Sequence, residues 1–261
     1  MIVMNKKDKS LIPERLEQIV EMIKQRNAVK IDDMCEELDI SAPTARRDLE
    51  RLEQRGLLRR VHGGAVAVER CLDEPLFDDK TAIAAKQKRA IAAAAVKLVS
   101  RDETLYLDGG STVLEMARLL RDHKNLNIVT NSLRTALELS GSGPNITLVG
   151  GRLRRRSQTM VGSLTRHTLS KLHFDKAFMG TIGLSIKAGL TTTNPEEAYT
   201  KRLAMEQSSE VILLADSSKI GKTSFAHAGD IDSVSTIVTD KNADVEFLKQ
   251  VKKLNINIIK V

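Results

Sequence analysis

Residues 40–65 read ISAPTARRDLERLEQRGLLRRVHGGA, and this stretch decides how the first third of the chain folds. Ser41 suits an N-cap, followed by Ala42 and Pro43 in a first turn where a missing N–H costs nothing. Ala45, Leu49 and Leu52 recur at helical spacing and predict one buried stripe. Pro43, Arg46, Arg47, Glu50, Arg51 and Gln54 fall on other faces. Gly56 fits the position just past the helix end, near Arg55. Leu57–Val61 and the run His62-Gly63-Gly64-Ala65-Val66 then predict two short strands around a Gly-Gly turn.

Upstream, Leu16, Ile19, Val20 and Ile23 mark an amphipathic helix opened by Pro13. A second helix is predicted over Ile31–Leu38, with Asp32 and Asp33 in the first turn, where the helix dipole favours carboxylates. Asp39-Ile40 makes a short turn into the third helix. Short helix, tight turn and capped helix form a helix-turn-helix, and the strands add a wing. The third helix would enter a DNA major groove N-terminal end first, with Ser41, Ala42, Thr44 and Arg46 or Arg47 nearest the bases. Arginine forks match both phosphates and guanine edges. Arg51 and the wing residues Arg60, His62 and Gly63 complete the expected DNA contacts.

Composition narrows the alternatives. The 261 residues are comfortable for two domains, and no apolar run is long enough for a membrane helix. The polar, Lys-rich residues 1–10 lack a signal-peptide core, so a cytoplasmic location without membrane attachment is expected. Cys35 and Cys71 cannot form a disulfide framework, and their spacing fits no metal motif; neither cofactor nor metal is expected. Of the net charge of +7, residues 1–70 contribute +1, from 14 Lys+Arg against 13 Asp+Glu. Residues 41–62 nevertheless hold six Arg against Asp48, Glu50 and Glu53. DNA binding therefore rests on local clustering, and a nucleoid-type architectural protein, which would spread its basicity, is disfavoured.

Glu69–Asp79, with Pro75 and mixed charge, reads as a boundary. The expected domains are 11–68, a linker at 69–80, and 81–261. After an Ala-rich helix near 84–99, strands are predicted at 104–107, 127–130, 146–149, 176–179, 211–215, 236–238 and 256–261. Helices fill 111–120, 133–139, 163–172, 195–208 and 245–254. Such alternation implies an α/β domain with a mainly parallel sheet and helices on both faces. Ligands of such sheets bind beyond the carboxyl ends of the strands. Those ends are polar and glycine-rich: Asp108-Gly109-Gly110-Ser111-Thr112, Thr130-Asn131-Ser132, Gly150-Gly151 and Asp216–Lys219. Glycines admit an oxyanion to the backbone, helix-start N–H groups favour negative charge, and Lys219 supplies a cation. The pattern predicts an anionic metabolite. Arg152, first of the run Arg152, Arg154, Arg155 and Arg156, is a candidate ligand, although such a run more commonly faces solvent or another subunit. His62 and His167 are read as wing-turn and surface-helix residues. Glu196 and Glu197 are explained by their place at a helix start.

Residues 40–65 closely resemble the DNA-binding signature of the DeoR family of bacterial sugar-metabolism regulators. Arg46-Arg47-Asp48-Leu49, Gly56-Leu57 and Arg60-Val61-His62-Gly63-Gly64 carry the match. Ala45 departs from the family's usual Ile or Val and should loosen packing slightly. Residues 74 to about 240 resemble the family's sensor domain at Lys88, Asp108–Thr112, Thr130–Ser132, Gly150-Gly151, Phe178-Met179-Gly180 and Asp216–Lys219. That domain shares its fold with ribose-5-phosphate isomerase. The resemblance implies a repressor of a sugar operon, a homo-oligomer (dimer or tetramer) on double-stranded operator DNA. A phosphorylated sugar binding at these loops would release it. The rival is a sugar-phosphate isomerase fused to a DNA-binding unit. The related isomerase carries an Asp-Gly-Ala-Asp-Glu pattern where this chain has Met179-Gly180-Thr181-Ile182-Gly183, so the required acids are missing and no enzyme activity is expected.

Overall fold

In a computed structural model, residues 12–26, 28–54, 58–61, 63–66 and 74–261 are described, and the chain divides into two units, Met1–Arg70 and Cys71–Val261. Gly56, Leu57, His62 and Cys71, which carry parts of the sequence reading, lie outside the described residues.

The apolar spacing of the first unit produces three helices, α1 (Ile12–Arg26), α2 (Ile31–Leu38) and α3 (Ala42–Gln54). Leu16, Ile19 and Ile23 of α1 pack with Met34 of α2 and with Ala45, Leu49 and Leu52 of α3 in one core. Asp39 ends α2 in the left-handed conformation, and its N–H donates to the carbonyl of Cys35. The wing is three-stranded. β1 (Ala28–Lys30) pairs with β3 (Gly64–Val66), which pairs with β2 (Arg59–Val61), all antiparallel. β1 was not predicted, because a single buried Val29 between two exposed neighbours leaves no periodic signal. Gly64 is required there: a Cβ would stand 2.2 Å from the carbonyl oxygen of Val29.

The second unit opens with α4 (Phe77–Ala82) and α5 (Ala85–Val96) and continues β4 (Thr104–Leu107), α6 (Ser111–Leu119), β5 (Asn127–Thr130), α7 (Leu133–Leu139) and β6 (Asn145–Leu148). A hairpin β7 (Arg152–Arg154) and β8 (Thr159–Val161) precedes α8 (Ser163–Leu169) and β9 (Phe174–Met179). Next come β10 (Gly183–Ser185), β11 (Gly189–Thr192), α9 (Pro195–Glu206), β12 (Ser208–Leu214), β13 (Ala226–Gly229), β14 (Thr236–Thr239), α10 (Val245–Lys253) and β15 (Asn257–Lys260). Seven strands form one sheet in the order β15-β14-β12-β9-β4-β5-β6, and every pairing in it is parallel.

Alternation along the strands builds a layer on each side. Leu105 and Leu107 face Ile91 of α5 and Met116 of α6, whereas Tyr106 faces the layer holding Leu169, Met205 and Val251 of α8, α9 and α10. Helix starts are set locally: Ser132 caps α7, Asn194 caps α9 with Pro195 behind it, and Asp244 caps α10. The antiparallel pieces β7-β8 and β10-β11-β13, each three or four residues long, were not among the predicted strands. The segment read as linker is also part of this unit from Glu74 onward: Glu74 and Phe77 are buried, and the Phe77 N–H donates to the Arg156 carbonyl at 3.1 Å.

Candidate functional site

In the first unit, burial of Ala45, Asp48, Leu49 and Leu52 turns the other faces of α3 outward. Ser41, Pro43, Arg46, Arg47, Glu50 and Arg51 are exposed, while Ala42 and Thr44 are half-buried. Ser41 Oγ lies 2.9 Å from Thr44 Oγ1, so the two hydroxyls order the leading edge of the helix. Arg47 Nε donates to the Pro43 carbonyl at 3.3 Å, which holds its guanidinium along that edge. In the wing, Gly63 has φ +82°, and its carbonyl accepts from the Ile31 N–H at 2.9 Å. The Arg60 N–H donates to Glu53, leaving its side chain exposed. The exposed arginines of α3 and β2 thus share a unit with an ordered helix start, which is what groove reading requires.

In the second unit, a small cavity, of about 60 Å³, opens over the carboxyl ends of β4, β9 and β12. These are adjacent central strands of the sheet. Gly109, Gly110, Ser111 and Thr112 line it after β4, Gly180 to Ile182 after β9, and Asp216 and Lys219 after β12. Ser111 and Thr112 form the first turn of α6, whose leading N–H groups have no helix carbonyl to meet. Close packing confines the loop, since a Cβ on Gly109 would stand 2.0 Å from Thr159 Cγ2.

Asp108 lies just under this loop rather than in the wall. It accepts from the Gly180 N–H at 2.9 Å and pairs with Lys201, whose ammonium also donates to the Gly180 carbonyl at 2.9 Å. Its role is to position the loops after β4 and β9. Lys88 on α5 is 3% exposed, lines the cavity, and donates to the carbonyls of Ile83 at 2.6 Å and Lys80. Burial pulls its pKa down to about 8, partly opposed by the Asp216 carboxylate and reinforced by Lys219 and Lys80. The Lys219 side chain makes no hydrogen bond or ion pair to another described residue, while its backbone N–H donates to the Asp216 carbonyl at 3.0 Å.

Glu74, Lys80, Glu197 and Lys201 complete the charged lining and were not among the expected ligands. Burial lowers the pKa of Lys80, opposed by its partner Glu74. Glu197, explained in sequence by the helix dipole alone, accepts from Thr159 at 2.9 Å and Thr192 at 3.3 Å, and Arg154 stands 3.3 Å from it. Local spacing carries no signal for this grouping, because the partners come from distant parts of the chain. Lys88 was marked only by the family resemblance.

Several expected ligands stand elsewhere. Thr130 donates to the Leu107 carbonyl at 2.6 Å, Asn131 bonds Tyr106 and the Met160 carbonyl, and Ser132 caps α7. All three are buried in scaffold, because β5 lies outside β4 and its end is covered by β8. Gly150 and Gly151 follow the edge strand β6, where the Gly150 carbonyl accepts from Thr165 at 2.8 Å. Arg152 is exposed and pairs with Glu196 outside the cavity.

A helix-turn-helix with a wing, carried on the same chain as an α/β unit with a charged cavity at its strand ends, defines a DNA-binding transcription regulator with a sensor domain. Residues 15–70 match the DeoR-like helix-turn-helix domain and residues 83–241 the DeoR C terminal sensor domain, and the chain belongs to the DeoR family. The HTH-type transcriptional regulator GlpR of Haloferax volcanii is 34% identical over 94% of this chain and 96% of its own length. The lactose phosphotransferase system repressor of Staphylococcus epidermidis is 35% identical over 88% of this chain and 92% of its own. Ribose 5-phosphate isomerase A of Methanocaldococcus jannaschii aligns at a TM-score of 0.39 and 18% identity, over 51% of this chain and 53% of its own. No helix among the described residues is long and apolar enough to cross a membrane.

Proposed function

We propose that this protein is a cytoplasmic repressor of a sugar-metabolism operon that leaves its operator when a phosphorylated sugar fills the cavity over β4, β9 and β12. The observation that carries the reading is the juxtaposition of Lys88 and Lys219 with the α6 start at Ser111-Thr112. Backbone N–H groups, a helix dipole and two ammonium groups suit a phosphate, and the hydroxyls of Thr181 and Thr192 in the same lining suit a polyol. Ser41, Ala42, Thr44, Arg46 and Arg47 read bases, while Arg51, Arg60, His62 and Gly63 meet the backbone. Of the expected effector ligands, Gly109, Gly110, Ser111, Thr112 and Lys219 are retained, Lys88 and Lys80 are added, and Asp108 acts through Lys201. Two-fold operators call for a dimer or tetramer. Binding rather than catalysis is favoured because the carboxylates of Glu74, Asp108 and Glu197 are each already engaged by cationic or hydroxyl partners.

The experiment is a thermal-shift screen against sugar phosphates and their parent sugars, followed by titration of the hit against DNA selected for binding from a randomised pool. At 100-fold its dissociation constant a ligand adds about 2.7 kcal/mol, a rise of roughly 2–4 °C per kcal/mol for a domain of this size. A shift with a phosphate and not its parent sugar, together with release of the DNA, is the expected result. A hit that leaves DNA affinity unchanged would overturn the regulatory reading.

A further inference from the structure

The arginine run after Gly151 has no part in the cavity lining, yet two of its members grip the segment that leads into the sensor. Arg154 Nη2 stands 2.7 Å from Glu74 Oε2, and Thr193 Oγ1 donates to the same carboxylate at 2.5 Å. Arg156 donates to the Glu74 carbonyl, and the Phe77 N–H returns a bond to the Arg156 carbonyl. At the other end of the segment, the Lys88 ammonium holds the carbonyls of Lys80 and Ile83. Glu74, Pro75, Lys80 and Ile83 are meanwhile one wall of the cavity. Residues 74–83 are therefore a strap, clasped by arginines outside the cavity and by a buried lysine inside it. The first unit ends at Arg70, a few residues before the strap begins.

We propose that this strap carries the cavity's state to the DNA-reading unit, with Arg154 as the positioning residue that latches it. The proposal rests on the reading of the cavity as an anion site. An anion at the α6 start takes the third donor of the Lys88 ammonium and pulls it toward the cavity, lengthening its two bonds to the Lys80 and Ile83 carbonyls. The carboxyl end of α4 then loosens, and the grip of Arg154 on Glu74 sets how far the loosening runs back along the strap. Coupling of this kind is reciprocal: DNA binding that favours the latched strap weakens anion binding by the same factor.

Amide hydrogen exchange on the full chain tests this, with glucose 6-phosphate, fructose 1-phosphate, ribose 5-phosphate and glycerol 3-phosphate as probes. At least one probe should slow exchange at residues 109–112 of the wild type and speed it at residues 77–83. In Arg154→Gln the strap should exchange roughly ten- to hundredfold faster without any probe, the range expected for one lost charged hydrogen bond. The probe should still protect 109–112 there but add no further acceleration at 77–83. Arg156→Ala, an exposed position that leaves the core intact, should speed strap exchange by about tenfold and serves if Arg154→Gln fails to fold. Protection at 109–112 with no response at 77–83 in the wild type would overturn the strap and leave the anion site standing. Strap exchange in both variants equal to that of the wild type would overturn the latch. Absence of protection at 109–112 with every probe would overturn the anion site and the strap with it.

Discussion

Arg15 Nε on α1 stands 2.7 Å from Asp48 Oδ2 on α3, a tie across the whole three-helix unit. Asp48 is 1% exposed although it sits between the exposed Arg47 and the buried Leu49. The pair fixes the rotation of α3 about its axis, because Arg46 and Arg47 can face outward only while Asp48 faces in. Removing one member of a buried pair strands the other, at a cost of about 3 kcal/mol. Asp48→Asn should therefore lower the melting transition of this unit by about 10 °C or more in calorimetry of the full chain. A transition within a degree or two of the wild type would show that the apolar stripe alone orients the helix.

Arg47 tests the reading face. Its guanidinium is exposed and held along the first turn of α3 by the Pro43 carbonyl. Arg47→Ala should weaken binding to the selected DNA by roughly ten- to hundredfold, the span of one base-reading fork. The thermal shift with sugar phosphate should stay unchanged. Arg60→Ala, on the exposed side of the wing, should instead flatten the dependence of log affinity on log salt by about 0.9, the contribution of one phosphate contact. A steep salt slope with Arg60 removed would take the wing off the backbone.

What was legible in the sequence and what was not follows the range of the interactions. α2 at Ile31–Leu38, β4 at Thr104–Leu107 and α7 at Leu133–Leu139 coincide with their predicted bounds. Each carries its own periodicity or cap. The loops after β4 and β12 stood out for the same local reason, and both line the cavity. The loops after β5 and β6 look equally polar, and only the order of strands, with β5 and β6 toward one edge, separates scaffold from cavity wall. Glu74 illustrates the opposite error: beside Pro75 in a charged stretch it reads as linker, and Arg154, eighty residues later, makes it an anchor. No local pattern reports a partner at that separation.

Lys88 gives the cavity a pH dependence. Its pKa of about 8 means that the ammonium is present at neutral pH and lost as pH rises through that value. A phosphate monoester is already dianionic above its second pKa of about 6, so its own charge does not change there. Affinity for the identified sugar phosphate should hold steady from pH 7 to 8 and then fall, approaching about tenfold per pH unit. Lys88→Met should bind weakly throughout and lose the break near pH 8. Calorimetric titration of both proteins between pH 6.5 and 9.5 measures it. A wild-type profile that is flat to pH 9.5 would remove Lys88 from the anion's contacts.

Glu74 governs the acid side. Burial pushes its pKa up, but the hydrogen bond from Arg154, the charge of Lys80 and the Thr193 hydroxyl more than offset this and bring it to about 2. Its ordinary value is 4.5, so the folded protein holds this carboxylate ionised where the unfolded chain would protonate it. The stabilisation is complete above the unfolded value and disappears as pH falls toward the folded one. From the shift alone it is on the order of 3 kcal/mol at neutral pH, with roughly three-fifths lost at pH 3. Denaturant titrations at pH 7, 5, 4 and 3 should show the wild type losing stability faster than Glu74→Gln below pH 5, with parallel behaviour above it. Since the same carboxylate latches the strap, amide protection at residues 74–83, taken relative to the intrinsic exchange rate at each pH, should fall over that interval in the wild type only. Equal acid sensitivity of the two proteins would mean that Arg154 and Lys80 hold the strap without help from the Glu74 charge.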